Sequence, residues 1–365
     1  MEEKICNRCI MDTTAPNIKF DNSGNCNFCN DLINGNQLNK NDIKHELDSL
    51  INRIKEDGKN KKYDCIVGVS GGVDSSYVLI KAIELGLRPL AVHMDNGWNS
   101  ELAQNNIYNL ISKLNIDLYT HVINWEEYRK LMQAFFDSDV VDVELLYDNA
   151  MLAVNYKLAS KYKIKYILGG MNKSSEGMRM PEGWNSFKYD KKQIKYLAKK
   201  FSNISIKTFP AIGTLDYIFY RFFKKIQWTS ILDLIDYKKD FALNILESNY
   251  SYKRYPYKHY ESVFTRFYQG YILPKKFNID KRKLHLSTLI ANEQLTRDKA
   301  IEQMKKNAYV TELEQKKDIR YFLKKMRWNE KDLEEYLGRP KVDHESYPSE
   351  KNLWDSFLKI NSFLK

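Results

Sequence analysis

The chain has 365 residues, 43% of them hydrophobic, and a formal net charge of +11. A chain of this length and composition can bury a sizeable core, which excludes wholesale disorder and suggests two domains, or one large domain with an appendage. No apolar run approaches the roughly 18 residues that a membrane helix needs. The first residues show neither the basic nor the apolar region of a signal peptide. We therefore expect a soluble, cytoplasmic protein that makes no membrane contact.

The positive charge belongs to the second half of the chain. Residues 1–180 carry 21 Lys and Arg against 24 Asp and Glu, whereas residues 181–365 carry 37 against 23. This asymmetry favours a polyanionic partner or substrate for the second half, such as RNA, ATP or a nucleotide-sugar. A lysine-rich bias on solvated helices would produce the same balance.

The first 35 residues are polar and contain four of the five cysteines. These four form the pattern CxxC-x16-CxxC, at Cys6, Cys9, Cys26 and Cys29. Two such pairs can place four thiolates tetrahedrally around Zn²⁺, and metal binding would explain how a segment without its own core folds. We predict a structural zinc ribbon over residues 1–35, with an iron–sulfur cluster or a redox dithiol pair as alternatives. Cys65 opens a buried strand and is interpreted as a small hydrophobic residue.

Residues 36–60 are expected to be a linker that contains an amphipathic helix over 40–57, because its apolar residues fall on one stripe. After it, short apolar runs alternate with amphipathic ones. We predict strands at 66–69, 90–94, 117–123 and 166–168, and helices at 74–86, 101–114 and 145–162. This alternation predicts an α/β fold with a doubly wound, mainly parallel sheet over residues 61–215, in which ligands bind at the carboxyl ends of the strands.

The strand signal fades from about residue 211 onward. Helical periodicity dominates there, and aromatic residues are interleaved with basic ones. We expect residues 216–365 to form a mostly helical, basic region that binds the substrate or a partner.

A glycine-rich loop with the sequence VSGGVDSS, at 69–76, joins the first predicted strand to the next helix. Glycines let backbone N–H groups surround an anion, and the positive end of the helix adds to the attraction. The residues that can hold phosphate in this way are Ser70, Gly71, Gly72, Ser75 and Ser76. Asp74 would repel phosphate unless a cation lay between them, so it implies Mg²⁺. A serine- and glycine-rich helix cap without function is the alternative.

This loop resembles the pyrophosphatase loop of the PP-loop ATP pyrophosphatases, which have a Rossmann-like fold of the HUP type. It has neither the GK[ST] of a Walker A loop nor the pattern GxGxxG. Members of that superfamily cleave ATP between the α and β phosphates and adenylate a carbonyl oxygen of their substrate. The resemblance implies ATP and Mg²⁺ as cofactors.

Two later stretches fit the same superfamily. Residues 93–98 follow the second strand, where superfamily members contact adenosine, so Met94 and Asn96 become candidate nucleotide contacts; an Asx-type turn is the alternative. The stretch from Gly169 to Glu176 resembles the G-T/G-x-x-x-x-E segment of ammonia-using members, whose glutamate helps to bind Mg²⁺.

Glu176 and Asp74 would then share the metal ion, unless Glu176 only caps a helix. Asp148 precedes a predicted helix and is a further candidate for the same crevice, although an acidic residue at a helix start is commonly structural.

Three features together resemble the N-acetyl sugar amidotransferases of bacterial surface-polysaccharide (LPS O-antigen) pathways. They are the CxxC-x16-CxxC head, the SGGVDSS loop and the stretch 257–287, which begins YKHYESVFTRF. The resemblance covers nearly the whole chain. Family members often have N-x-A-x-E where this chain has NKSSE at 172–176, and Arg-Arg where it has Arg282-Lys283. Both departures keep the carboxylate and the cations.

The resemblance implies conversion of an acetamido group on a nucleotide-activated sugar into an acetamidino group. An amide oxygen leaves poorly, so its adenylation would give an O-adenylyl imidate and pyrophosphate, and ammonia would then displace AMP. Asp74 and Glu176 are the implied magnesium ligands and catalytic residues, with Lys258 and His259 as further catalytic candidates.

The basic stretch would bind the diphosphate or a carboxylate of the sugar nucleotide, since Arg suits bidentate contact with either group. The candidates are Lys258, His259, Glu261, Arg266, Lys276, Arg282 and His285. For each of them alone a solvated charge is the alternative, and for His259 a core histidine.

The chain shows no glutaminase domain of its own. The resemblance implies a separate glutaminase subunit, similar to that of imidazole glycerol phosphate synthase, with a cyclase-like companion.

The rival interpretation is a PP-loop enzyme that modifies tRNA by thiolation or lysidine formation. It is disfavoured because no catalytic cysteine pair lies within the predicted ATP domain, so nucleic acid is not expected as a partner. A non-enzymatic scaffold is disfavoured because Asp74 and the glycine pair are present.

Overall fold

The computed structural model describes residues 4–35, 40–256, 258 and 260–363. The strands are β1 (Cys65–Gly68), β2 (Pro89–Asp95), β3 (Leu118–Val122), β4 (Tyr166–Gly169) and β5 (Gln227–Ser230). The α-helices are α1 (Asn27–Gly35), α2 (Lys40–Asp57), α3 (Val73–Glu84), α4 (Glu101–Leu114), α5 (Trp125–Asp137), α6 (Leu145–Lys161), α7 (Lys173–Glu176), α8 (Lys191–Ser202), α9 (Thr214–Ile218), α10 (Lys239–Tyr250), α11 (Val263–Phe267), α12 (Leu273–Phe277), α13 (Lys281–Ala291), α14 (Arg297–Lys305), α15 (Glu312–Met326), α16 (Glu330–Gly338) and α17 (Lys351–Phe363). None of the helices in these ranges is long and apolar enough to cross a bilayer.

The five strands form one parallel sheet in the order β3-β2-β1-β4-β5. Because every connection between parallel neighbours is a crossover, helices cover both faces, and the predicted doubly wound α/β fold is confirmed. The order reverses between β1 and β4, which is where such sheets bind ligands, outside the carboxyl ends of the strands.

The central strand is apolar on both faces. Ile66 packs into the cluster on one side of the sheet, and Cys65 and Val67 pack into the cluster on the other. Successive side chains of a strand point to opposite faces, so a strand covered on both sides reads as a continuous apolar run. Burial raises the pKa of the Cys65 thiol, which agrees with a packing role and not with a reactive thiolate.

The fifth strand was not predicted. Residues 227–230 have the sequence QWTS and are half-buried at the edge of the sheet, so they show neither an apolar run nor a clear alternation. Their pairing with β4 extends the sheet beyond the predicted domain limit at residue 215. The remaining domain limits stay predictions, and the region after β5 is helical, as expected.

The turn at Gly71 decides the shape of the loop between β1 and α3. Its φ of +83° lies in the left-handed region, and a Cβ atom at this position would lie 2.8 Å from the carbonyl oxygen of Ala103. L-residues disfavour this conformation by about 1–2 kcal/mol, and the close backbone of α4 adds a steric penalty. Only glycine therefore fits this turn without strain.

We predict that Gly71→Ala lowers the free energy of unfolding by about 2 kcal/mol or more, from the backbone strain and the contact with Ala103. Urea unfolding monitored by circular dichroism measures the change. Gly338→Ala is the control, because a Cβ atom there meets nothing within 4 Å and alanine favours a helix. Equal stability of the two variants would contradict this account.

Candidate active site and cysteine cluster

The loop after β1 is held in shape by its own hydroxyl groups. The Ser75 hydroxyl accepts from the backbone N–H of Ser70 at 3.2 Å and lies 3.1 Å from the Ser70 hydroxyl. The Ser70 hydroxyl in turn accepts from the N–H of Gly72 at 3.2 Å. The loop leads directly into α3, whose N-cap is Gly72. The hydroxyl groups thus fix the conformation of the loop ahead of α3, whose N-terminus is the element that can attract an anion.

The backbone of this loop is braced from outside the sheet. The hydroxyls of Tyr252 and Tyr255 both donate to the carbonyl oxygen of Gly71, each at 3.0 Å. After β4, Gly170 lies so close that a Cβ atom there would be 2.9 Å from the Ser75 nitrogen. Gly170 thus allows the end of β4 to pack on the start of α3, whereas a Cβ atom on Gly169 would meet the indole of Trp228.

Asp74 is the acidic residue of the loop. The Tyr237 hydroxyl donates to its Oδ1 atom, and the Asn172 side chain donates to the same atom at 3.5 Å. Burial raises the pKa of Asp74, and the nearby charge of Glu176 adds to that shift. Two carboxyl groups in one buried site form an environment that favours a bound cation.

A cavity of about 1240 Å³ opens beyond the carboxyl ends of β1, β2 and β4. Many of the predicted site residues line it: Ser70, Gly72, Asp74, Ser75, Met94, Asp148, Gly169, Glu176, Lys258, Glu261, Arg266, Arg282 and His285. The volume exceeds that of a typical drug-sized site, so there is room for ATP together with a second substrate.

The helical part reaches this cavity by pairing with the loop after β2. The N–H of Ser100 donates to the Glu261 carbonyl at 2.9 Å, and the N–H of Val263 donates to the Trp98 carbonyl at 2.8 Å. Lys258 precedes this contact; its Nζ atom lies 2.5 Å from Glu176 Oε1 and 3.4 Å from His285 Nδ1. The stretch 257–287, which the sequence analysis singled out, therefore reaches the glycine-rich loop at 69–76, which we call the phosphate loop after its predicted ligand.

Two of the predicted arginines are held by protein carboxylates. Arg266 makes a bidentate pair with Asp318, at 2.6 and 2.7 Å. Arg282 pairs with Asp280 through Nε and Nη2, with its shortest contact at 2.7 Å. Both line the cavity, but their charges are already compensated.

Other predicted residues lie away from the cavity lining. Ser76 is buried within α3, and Asn96 accepts from the N–H of Trp98 at 3.1 Å, which is the Asx-type turn considered as the alternative. Lys276 is fully buried, with its Nζ atom 3.0 Å from Asp139, and serves packing instead of substrate binding. The predicted residues Tyr257 and His259 lie outside the described residues.

Several cavity residues carried no sequence motif. Lys188 lines the wall and pairs with Asp142 at 2.6 Å and with Asp148 at 2.8 Å. Lys239, which also lines the cavity, and Tyr237, whose hydroxyl donates to Asp74, come from the segment after β5. Nothing in their local sequence distinguishes them from other lysines and tyrosines, because only the return of the chain over α3 places them at the loop.

The ion pairs of Lys188 belong to a buried network around His344. The ring Nε2 of His344 accepts from the backbone N–H of Asp142 at 3.1 Å. Its Nδ1 donates to the side-chain Oε1 of Gln193 at 2.6 Å. This arrangement requires a neutral ring. Burial lowers the pKa of His344 to about 4. Burial acts to raise the pKa of Asp142, but the charges of Lys188 and Lys281 outweigh it and lower that pKa to about 2.

The four N-terminal cysteines come together as predicted. Their sulfur atoms are buried and lie within 4.8 Å of one another, with Cys6–Cys29 at 3.8 Å and Cys9–Cys26 at 3.6 Å. A tetrahedron of thiolates at a Zn–S distance of about 2.3 Å has edges of about 3.8 Å, so the cluster fits Zn²⁺.

The cysteine cluster rests on the cavity wall. Arg297 donates to the carbonyl oxygens of Cys9 and Cys6, at 3.1 and 3.2 Å, and the N–H of Ile10 donates to the Ser287 hydroxyl at 3.2 Å. Ser287 belongs to α13, which also carries Arg282 and His285. The cluster therefore supports one side of the cavity.

One comparison with known protein families gave a match. Residues 261–361 match the model of the family "LPS biosynthesis protein WbpG-like, C-terminal domain". The match covers less than a third of the chain, and in that part it agrees with the predicted resemblance to proteins of surface-polysaccharide pathways. The search of curated proteins gave no significant match.

Among solved structures, the chain is similar to NMN synthetase from Francisella tularensis, with 16% identity over 61% of this chain and 100% of that one. It is also similar to the NH3-dependent NAD synthetase from Campylobacter jejuni, with 19% identity over 58% of this chain and 85% of that one. A predicted subunit of a tRNA methyltransferase from Methanocaldococcus jannaschii has 14% identity over 50% of this chain and 75% of that one. The TM-score is 0.29 in each case, too low to support an argument about function.

We predict that the protein loses stability as the pH falls from 6.5 toward 4, partly through His344. The unfolded ring, with a pKa of 6.5, binds a proton before the folded ring, with a pKa of about 4, so the neutral ring stabilises the fold fully above pH 6.5 and loses this effect toward pH 4. Urea unfolding at pH 7 and pH 5 measures the slope. His344→Gln should flatten it, whereas the exposed His45→Gln should not; equal slopes in both variants would refute the assignment.

For the cysteine cluster we expect about one zinc ion per chain in protein purified without chelators. Cys26→Ser should lose most of the metal and unfold at a lower temperature, because the N-terminal segment depends on it. Metal analysis and thermal unfolding give the two readouts. Cys65→Ala is the matched control, since this buried cysteine lies outside the cluster; loss of zinc in this control would contradict the assignment, and iron in place of zinc would favour a cluster of another kind.

Proposed function

We propose that the protein is an ATP-dependent, AMP-forming amidotransferase that acts on the acetamido group of a nucleotide-activated sugar. The observation that carries the proposal is one shared cavity: the phosphate loop after β1 and the segment that begins the WbpG-like match line it together. The wall formed by the phosphate loop suits a nucleoside triphosphate. The wall formed by the family-matched region carries basic side chains.

The phosphate loop supports the ATP half of the reaction. The N-terminus of α3, which directly follows this loop, would hold the pyrophosphate that leaves. Gly72 lies beside Glu261: a Cβ atom on it would be 3.7 Å from Glu261 Oε1. The N-terminus of α3 would meet the charge that develops on the transferring α-phosphate and on the leaving pyrophosphate.

Asp74 and Glu176 would hold Mg²⁺. Carboxylate oxygens are the ligands this ion prefers, and the proximity of Glu176 already contributes to the raised pKa of Asp74. When bound, the ion supplies charge neutralisation for the ATP phosphates. Lys258 pairs with Glu176 at 2.5 Å and would turn toward the substrate when the metal takes that carboxylate.

The acceptor amide is activated by transfer of AMP to its oxygen, with pyrophosphate leaving. Ammonia then forms a bond to the imidate carbon and AMP leaves with the oxygen, so oxygen is exchanged for nitrogen without any redox step. Ammonia would come from a separate glutaminase subunit, similar to that of imidazole glycerol phosphate synthase and with a cyclase-like companion.

The test is incubation of the purified protein with ATP, Mg²⁺, ammonium and a panel of N-acetylated UDP- and CMP-sugars, with AMP and sugar mass followed together. We expect AMP release coupled to a sugar that becomes slightly lighter and gains a basic group. AMP formed only with tRNA would favour the RNA-modifying alternative. ADP formation, or no ATP cleavage with any acceptor, would overturn the adenylation mechanism.

Within that assay, Asp74→Asn and Glu176→Gln should each lower kcat by about a hundredfold or more, because each removes a carboxylate ligand of the proposed Mg²⁺, whose charge would stabilise the transferring α-phosphate. Asp236→Asn is the control: this carboxylate is adjacent to Tyr237 in the chain, but its side chain is 86% exposed. Retained activity in both site variants would exclude the proposed magnesium site.

A further inference from the structure

The cavity is lined by seven lysine and arginine side chains, and most of them are neutralised by the protein itself. Besides the pairs of Lys188, Lys258, Arg266 and Arg282 described above, Arg254 lies 3.1 Å from Glu247, and Lys281 lies 3.3 Å from Glu144. Lys239 differs: among the described residues it forms no hydrogen bond or ion pair.

The environment of Lys239 is unfavourable for an ammonium group. Burial lowers its pKa, and the positive charge of Lys258 contributes in the same direction. Asp74, Glu261 and Glu176 are near enough to oppose this shift. Asp74, however, is bonded to Tyr237 and Asn172, and Glu176 is paired with Lys258.

Apart from the charges of Asp74, Glu261 and Glu176, none of which bonds to Lys239, the described structure offers no stabilising reason for a lysine at this position. Lys239 is the first residue of α10, where the positive end of the helix favours acidic side chains and disfavours cations. A partly buried, unpaired ammonium at a helix N-terminus lowers stability on three counts: burial, lack of a partner and the helix dipole. Such a group is expected where a ligand supplies the missing negative charge.

The position of α10 indicates which ligand Lys239 can reach. This helix packs against α3, the helix that begins at the phosphate loop. The segment that follows α10 contributes Tyr252 and Tyr255, whose hydroxyls bind the Gly71 carbonyl. Lys239 is therefore held on the side of the cavity formed by the loop and α3, close enough to Asp74 to interact with its charge.

We infer that Lys239 binds the phosphate groups of ATP and the departing pyrophosphate, as a cationic partner that complements the backbone donors of the phosphate loop. This inference rests on the proposed use of ATP at this site. Lysine acts there as a compact point charge that follows the phosphates as the bond between the α and β phosphates breaks and charge builds on the leaving pyrophosphate.

Binding of inorganic pyrophosphate and of ATP, each with MgCl₂, tests the inference by isothermal titration calorimetry on the full chain. Lys239→Met should weaken both about tenfold or more, since a charge-assisted contact is lost. Lys239→Arg should bind within a few-fold of wild type. Lys238→Met is the matched control, because this neighbouring lysine is exposed and does not line the cavity.

Thermal unfolding separates this role from a structural one. Without ligand, Lys239→Met should unfold at the wild-type temperature or above it, because an unpaired buried charge is removed. With pyrophosphate, its stabilisation should be smaller than that of wild type. A lower unfolding temperature of the free variant with unchanged ligand affinity would identify a structural lysine and overturn the inference.

The outcome is distinguishable from failure of the proposed function. If the sugar is not amidinated but wild type binds pyrophosphate and Lys239→Met does not, the acceptor is wrong and the inference on Lys239 stands. If both proteins bind pyrophosphate and ATP equally, or neither binds, the inference fails. A variant that raises only the KM for the sugar would place Lys239 in the acceptor site and also overturn it.

Discussion

The left-handed turn at Gly71 is the constraint on which the site depends. It turns the chain sharply between β1 and α3, so that backbone donors and a helix terminus converge on one point at the carboxyl edge of the sheet. In this conformation the Gly71 carbonyl accepts hydrogen bonds from the hydroxyls of Tyr252 and Tyr255. A bond made by the later part of the chain thus holds the conformation of a loop formed by the earlier part.

Support for the opposite wall comes from the N-terminal cysteine cluster. Hydrogen bonds from Arg297 and contacts of Ile10 join it to α13 and α14. A segment of about this size cannot bury enough apolar surface to fold alone, so a metal would supply the missing stability. Its rigidity would then be passed to α13, and a metal distant from the chemistry would influence how the cavity binds its acceptor.

Charge compensation explains how a basic region can line a deep cavity. Pairs such as Arg266 with Asp318 and Arg282 with Asp280 avoid the high cost of an isolated buried charge. They also orient guanidinium groups rigidly. The net positive charge of the second half therefore does not by itself indicate ligand contacts. A cavity cation without a bonded carboxylate among the described residues, such as Lys239, is a better indication of where an anionic ligand binds.

The sequence alone determined the fold class, the phosphate loop and the cysteine cluster. Each is encoded in a short stretch: apolar runs for β1 and β2, the spacing of Cys6 to Cys29, and the glycines beside Asp74. Local patterns of this kind are readable because the physical requirement and the residues that meet it are neighbours in the chain.

Only the tertiary structure decided which charged side chains remain available to bind a ligand in the cavity. Arg266 and Lys276 look alike in sequence, yet one lines the cavity and the other is buried against Asp139. Lys239 and Tyr237 carry no motif, and β5 lacks an apolar pattern because it is a half-buried edge strand. Their roles arise from contacts with residues far along the chain: Tyr237 bonds to Asp74, 163 positions earlier, and β5 pairs with β4, 61 positions earlier. Such long-range pairing leaves no local trace in the sequence.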